Sequence, residues 1–155
     1  MKKNIATSLR LIITKGDKIL IAKIKGGSFY FLPGGGLEFN ESIEGAINRE
    51  LREELGIKLK SAKFVGINET RFKDKHGVNH GIDLVYKVDV NKLSDVSKER
   101  HIVFEFKKIS EISKLNLLPG SLKKNLVGWF KDQKVFWGNK KSVPSWPSSF
   151  GCRIG

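Results

Sequence analysis

One segment constrains the whole chain. From about Glu41 to Leu55 the apolar residues recur with helical period, inside a sequence that otherwise reads as strands. Ile43, Ala46, Ile47, Leu51 and Leu55 fall at i, i+3, i+4, i+8 and i+12, which makes one core-facing stripe. Asn40 or Ser42 can cap its start, and Gly56 stands where a left-handed residue closes a helix. Upstream, the β-rich runs Ile5 to Thr14 and Ile19 to Ile24 flank the turn-like Lys15-Gly16-Asp17-Lys18 and predict a hairpin. Phe29 to Leu32 predicts a short strand that stops at Pro33, and Gly34-Gly35-Gly36 follows. Downstream, strands are expected over Phe64 to Ile67, Ile82 to Val90 and Ile102 to Ile109, with Arg71 to Gly81 as a polar hairpin tip. In the middle one, Leu84, Tyr86, Val88 and Val90 alternate with the polar Asp83, Lys87 and Asp89. A second helix is expected to start near Pro119, with Leu118, Leu122, Leu126, Trp129 and Phe130 as its apolar stripe. The order strands, helix, strands, helix predicts a mixed sheet flanked by helices rather than a doubly wound parallel sheet.

The helix carries an arrangement that local stability alone would not choose. Glu50, Glu53 and Glu54 are spaced i, i+3, i+4, so all three project from one side. Glu50 and Glu54 form a stacked like-charge pair in the C-terminal half, where the helix dipole disfavours anions. A divalent cation would relieve both penalties, because Mg²⁺ takes one or two carboxylates together with waters and substrate phosphates. The plain alternative is a set of surface glutamates relieved by Arg49, Arg52 and Lys58. The glycine run just upstream shifts the balance, since it lets backbone approach a ligand closely beside the carboxylates. It is not a P-loop, because no Gly-Lys-Ser/Thr follows it.

Gly35 through Ile57 resembles the Nudix box, G-x5-E-x7-R-E-U-x-E-E-x-G-U with U aliphatic, at every fixed position. Leu32-Pro33-Gly34-Gly35-Gly36-Leu37-Glu38 also resembles that family's approach to the box. The resemblance implies an α/β fold, a Nudix-type α/β/α sandwich with a mixed sheet and the box as loop–helix–loop. It implies Glu50, Glu53, Glu54 and the Gly34 carbonyl as metal ligands, with Mg²⁺ as the metal and Mn²⁺ as a substitute. Arg49 and Glu41 match positions that brace loop and helix by charge pairing. The implied activity is a metal-dependent hydrolase: water attacks phosphorus and splits a phosphate–phosphate linkage in a nucleoside di- or triphosphate derivative. The general base lies either in the box, at Glu53 or Glu50, or beyond it, where Glu105-Phe106 resembles the family's later Glu-aromatic pair. Arg10, two residues from Ser8 on one strand face, is a candidate phosphate contact or else an edge arginine, and Gly35 and Gly36 are candidate substrate contacts. Asn79-His80-Gly81 departs from the His-His-Glu found in some bacterial members, and His76 and His80 read as loop residues. Phe29, Tyr30, Phe72, Trp129 and Trp137 could stack a base, though core packing suits most of them.

Bulk properties bound these readings. A chain of 155 residues fits one domain, expected over 1–137, with a Ser/Pro/aromatic tail over 138–155 that is docked or partly disordered. The net charge is +13, yet six glutamates face two arginines between Glu38 and Glu54, which leaves +17 outside that island. A small nucleotide is the expected partner; the basic remainder also suits RNA, with 5′-end pyrophosphohydrolysis or a non-catalytic nucleotide or nucleic-acid binding module as alternatives. Apolar runs such as Leu11-Ile12-Ile13 are too short to span a bilayer, and the single Cys152 fits a reducing compartment, the cytoplasm.

Overall fold

A computed structural model describes residues 2–137, so the tail expected over 138–155 lies outside the described residues. Six strands and two helices follow in the order β1 (Lys2–Ile12), β2 (Thr14–Lys15), β3 (Lys18–Ile24), α1 (Ile43–Leu55), β4 (Leu59–Asp74), β5 (Gly77–Val90), β6 (Ile102–Lys108) and α2 (Gly120–Asp132). A 3-10 turn over Ile109–Lys114 precedes α2. The strands form two sheets, ordered β1-β5-β4 and β2-β3-β6. β1 runs parallel to β5 while β4 runs antiparallel to it, so the larger sheet is mixed.

Two apolar layers hold the sheets between the helices. On one side Ala46, Ile47, Leu51 and Leu55 of α1 pack with Leu9, Leu11, Ile13, Leu20, Ala22 and Phe104. On the other, Leu122, Leu126 and Trp129 of α2 pack with Ile12, Ile19, Ile21, Val65 and Val85. Leu11, Ile12 and Ile13 are all buried although neighbours in a strand face opposite ways, because both faces are covered. That is why these strands read as unbroken apolar runs rather than alternations. The expected α/β/α sandwich is what forms.

Several local expectations are refined. The run Ile5 to Thr14 is not one arm of a hairpin: β1 pairs with β5, and only Thr14 and Lys15 turn back on β3. Ile13 is the joint where the chain passes from one sheet to the other, keeping its carbonyl bonded to the Leu20 N–H at 2.8 Å. The polar stretch Arg71 to Gly81 is the expected hairpin tip, drawn tighter: β4 runs to Asp74 and β5 resumes at Gly77, so most of it is ladder. Ladder bonds from β4 on one side and β1 on the other hold the first half of β5 in place whatever its side chains are. Phe29 to Leu32 forms no strand of its own, only single bridges from Tyr30 to Leu117 and from Phe31 to Ala22. The start of the second helix differs by one position, since Pro119 is the N-cap rather than the first helical residue.

The glycine run is tied to the sheet through backbone. Leu9 and Leu11 of β1 donate N–H bonds to the carbonyls of Gly35 and Pro33, each at 2.8 Å, and Leu37 donates to Thr7 at 3.0 Å. The loop thus lies along the free edge of β1. No helix of the described residues is long and apolar enough to cross a membrane.

Candidate active site

Helix α1 is built to hold its acids in one place. The Ser42 hydroxyl accepts the Gly45 N–H at 3.0 Å, and Gly56 takes the left-handed conformation, φ 66°, that returns its N–H to the Arg52 carbonyl. Between these caps the three glutamates part company. Glu50 and Glu54 are 7% and 4% exposed, while the Glu53 side chain is 50% exposed. The helical repeat explains this: relative to Glu50, Glu54 is turned about 40° toward the apolar stripe and Glu53 about 60° away from it.

Each glycine of the loop touches a different member of the set. The Gly34 N–H donates to Glu54 Oε2 at 3.1 Å. Its φ is 131°, and a Cβ there would strike the Leu9 carbonyl oxygen, so only glycine fits. A Cβ on Gly35 would collide with the Glu50 carboxylate. The Gly36 carbonyl accepts Arg49 Nη2 at 3.0 Å. Arg49 is the hub. Its Nε and Nη2 fork onto the two Glu41 oxygens at 2.7 and 3.0 Å, and its Nη1 donates to Glu50 Oε1 at 2.7 Å, with Glu53 Oε2 at 3.5 Å. These bonds join Glu41, which precedes the helix, and the Gly36 carbonyl to α1 at Arg49.

Electrostatics separate the acids further. The Arg49 hydrogen bonds hold the Glu41 carboxyl below its usual range. Burial pushes Glu50 up, although Arg49 opposes the shift. Glu54 is pushed well up, first by burial and then by the negative charge of Glu50, with the Gly34 N–H as a small offset. Two buried carboxylates thus repel each other with one amide and one guanidinium between them. A divalent cation fits this donor set, which is hard oxygen throughout, with Glu50 and Glu54 as the inner pair and Glu53 at the rim. Among the described residues no three acidic, histidine or cysteine side chains converge at ligating distance, so the site as folded offers a pair rather than a closed cage.

Glu105, the candidate base beyond the box, stands in different company. Its neighbour Phe104 packs under α1, and Glu105 itself pairs with Ile21, a residue of the α2-side layer. Burial would raise its carboxyl, but hydrogen bonds from Lys107, 3.1 Å away, and from Tyr30 outweigh that and bring it below the usual range. Sequence reading passed over Glu99. This residue lies in the segment before β6, where Lys98 donates its N–H to the Glu54 carbonyl at 2.8 Å, and the Glu99 charge adds to the upward push on Glu54. A charged loop between two strands gave no signal for it.

Arg10 sits beside this site with its Nε 3.4 Å from Asp83 Oδ1. Its positive charge is felt by both Glu50 and Glu54. Asp83, one of the polar residues that alternate along β5, is only 5% exposed and accepts a 2.7 Å bond from Ser8.

These features fall within a known family. The NUDIX domain model matches residues 4–124, and the chain belongs to the Nudix family of hydrolases. Among its relatives is an ADP-ribose pyrophosphatase of Methanocaldococcus jannaschii, 33% identical over 125 residues, which are 76% of this chain and 70% of that one. An 8-oxo-dGTP diphosphatase of Proteus vulgaris is 35% identical over 79 residues, covering 48% and 70% of the two chains. The MutT protein of Bacillus halodurans superposes with a TM-score of 0.70 at 22% identity, over 85% of this chain and 86% of that one, and so shares the fold.

Proposed function

We propose that this enzyme is a magnesium-dependent pyrophosphohydrolase that splits the phosphate–phosphate linkage of a nucleoside diphosphate or triphosphate derivative by water attack on phosphorus. The observation that carries the reading is the buried Glu50–Glu54 pair, set against a glycine loop that points an amide at one carboxylate and cannot accept a side chain beside the other. Glu50, Glu53, Glu54 and the Gly34 carbonyl would hold Mg²⁺, with Mn²⁺ as a substitute. When bound, the metal neutralises charge that develops on the phosphoryl oxygens.

The chain's own residues supply the rest. Gly35 and Gly36 are the candidate backbone contacts for a phosphate, and Arg10 is the candidate cation for it. Glu53, half exposed and near the pair, takes the proton of the attacking water; Glu99 is the second candidate, from outside the box. Lys107 pairs with one oxygen of Glu105, while the other is buried without a partner among the described residues. The charges acting on this acid are Lys107 and Lys23 rather than any in the box, and we place it outside the proton path. The M. jannaschii relative puts ADP-ribose first among substrates to try, with oxidised deoxynucleoside triphosphates next. The charge of +17 outside the box favours a second reading, removal of the 5′ pyrophosphate from RNA. The cytoplasm suits either substrate.

The test is a panel of ADP-ribose, nucleoside triphosphates, dinucleoside polyphosphates and 5′-triphosphorylated RNA with Mg²⁺ or Mn²⁺. Turnover of at least one is expected, and Glu53→Gln should lower it about 10²- to 10⁴-fold while leaving the fold intact. Binding to nucleotide or RNA with no turnover across the panel would make the chain a binding module and end the hydrolase reading.

A further inference from the structure

Across the larger sheet, Ser8, Asp83 and Asn68 occupy one row, since Ser8 pairs with Asp83 in β1–β5 and Asn68 with Asp83 in β4–β5. All three are at least 95% buried. Ser8 donates to Asp83 Oδ1 at 2.7 Å and Asn68 Nδ2 to Asp83 Oδ2 at 3.3 Å, while Asn125 of α2 donates to Asn68 Oδ1 at 3.2 Å. An aspartate is costly to bury, and two neutral donors do not cancel its charge. The cation that faces it is Arg10, on the same side of β1 as Ser8 and one pair along.

Only the Nε edge of Arg10 is engaged, by Asp83 at 3.4 Å. Among the described residues its two terminal amino groups have no partner, although the side chain is only 16% exposed. The Arg10 Cα lies against Gly34, whose N–H is bonded to Glu54, and the Arg10 charge reaches both Glu50 and Glu54. A free arginine there has two bad options. It can wander, at the entropic cost of re-ordering for every ligand, or fall onto the two glutamates and cancel the charge that makes them useful. An anion placed behind its Nε prevents both, and leaves the Nη fork for a planar pair of phosphate oxygens.

We propose that Asp83 is a positioning residue that holds Arg10 as a phosphate clamp beside the Glu50–Glu54 pair. The inference rests on the hydrolase reading for its catalytic meaning, but the clamp itself can be measured without turnover. Asn68 and Asn125 tie the clamp's anchor to α2, so the helix on the far side of the sheet takes part in setting it.

Inorganic pyrophosphate is the probe, titrated calorimetrically with saturating Mg²⁺ against the wild type, Asp83→Asn, Arg10→Ala and the double variant. Asp83→Asn keeps the size of the side chain and removes the charge; its oxygen can still accept from Asn68, while its amide donates to a Ser8 hydroxyl turned to accept. It should weaken pyrophosphate binding about tenfold; with a hydrolysed substrate it should raise KM by a similar factor and change kcat by less than about threefold. The double variant should bind no worse than Arg10→Ala alone, because the two residues act as one unit. Additive losses, or unchanged affinity in Asp83→Asn with an intact thermal transition, would overturn the clamp. If Asp83→Asn fails to fold, Arg10→Lys serves in its place: it keeps the charge but lacks the fork, and affinity equal to the wild type would overturn the clamp too. A wild type that binds pyrophosphate with this coupling yet turns over nothing would retire the hydrolase reading and leave the clamp standing.

Discussion

The Cα of Gly35 faces the carboxylate of Glu50 so closely that not even a methyl group fits between them. Loop and helix are therefore fitted to each other at this point, and the acid cannot retreat without losing its Arg49 bond. Gly35→Ala should displace Glu50 and lower kcat/KM by roughly tenfold to a hundredfold, the usual cost of misplacing a group at the reacting centre by about 1 Å. Circular dichroism should stay native. Full activity in the Gly35→Ala enzyme would show that the loop moves aside freely.

Glu54 tests the case for a cation most directly. It is 4% exposed, repelled by Glu50 and Glu99, and bonded to one backbone amide. Glu54→Gln removes a buried charge while preserving shape. In metal-free buffer its melting temperature should equal or exceed the wild type's, and the rise that Mg²⁺ gives the wild type should disappear. Differential scanning calorimetry with and without Mg²⁺ reads both effects. Equal Mg²⁺-dependent gains in the two proteins would remove Glu54 from the ligand set.

The Glu41–Arg49 fork has a pH signature. Folding lowers the Glu41 carboxyl below its ordinary value, chiefly through the Arg49 hydrogen bonds. The folded state thus holds the proton less tightly than the unfolded state. Its stabilising contribution is complete above the unfolded value near 4.5 and is lost as pH falls through the lower folded value. Glu41→Gln should cost about 1–2 kcal/mol at pH 7, the worth of hydrogen bonds to a charged group, and much less near pH 3. Urea unfolding at the two pH values measures the difference, and a pH-independent loss would point to packing instead.

Two acids outside the box can be ranked by their surroundings. Glu99 adds its charge to the field at Glu54, whereas Glu105 is bonded to Lys107 and Tyr30. Glu99→Gln should reduce kcat more than tenfold, and Glu105→Gln less than threefold, with a small loss of stability from the freed Lys107. The reverse order in a steady-state assay would restore Glu105 as the base.

How much of this was legible beforehand depends on which forces fix each part. The box was legible because its spacing is set by the helical repeat, which fixes direction without knowledge of the rest of the fold. The caps Ser42 and Gly56 follow from chemistry local to a few residues. The split between Glu53 and the buried pair was within reach of the same repeat, since the apolar stripe lies nearer Glu54. Asp83 was not within reach. Alternation along β5 marks it as the opposite of Leu84, but only the position of α2 decides that the opposite side is covered. The length of the β4–β5 arms was missed for another reason: Arg71 pairs with His80 within the expected hairpin, but backbone ladder bonds leave no apolar alternation in the polar residues they join. The fate of the first strand was hidden too, because Ile5 to Thr14 says nothing about which edge it will join.

That choice of edge governs when the catalytic apparatus comes into being. The loop before α1 leans on β1, and β1 in turn joins β5, with Ser8 and Asp83 standing 75 positions apart in the chain. Such distant pairings close late, after the local helix and hairpins have had time to form. A polypeptide still emerging from the ribosome can therefore carry every glutamate of the box and remain inert, the platform beneath them missing until β5 has arrived.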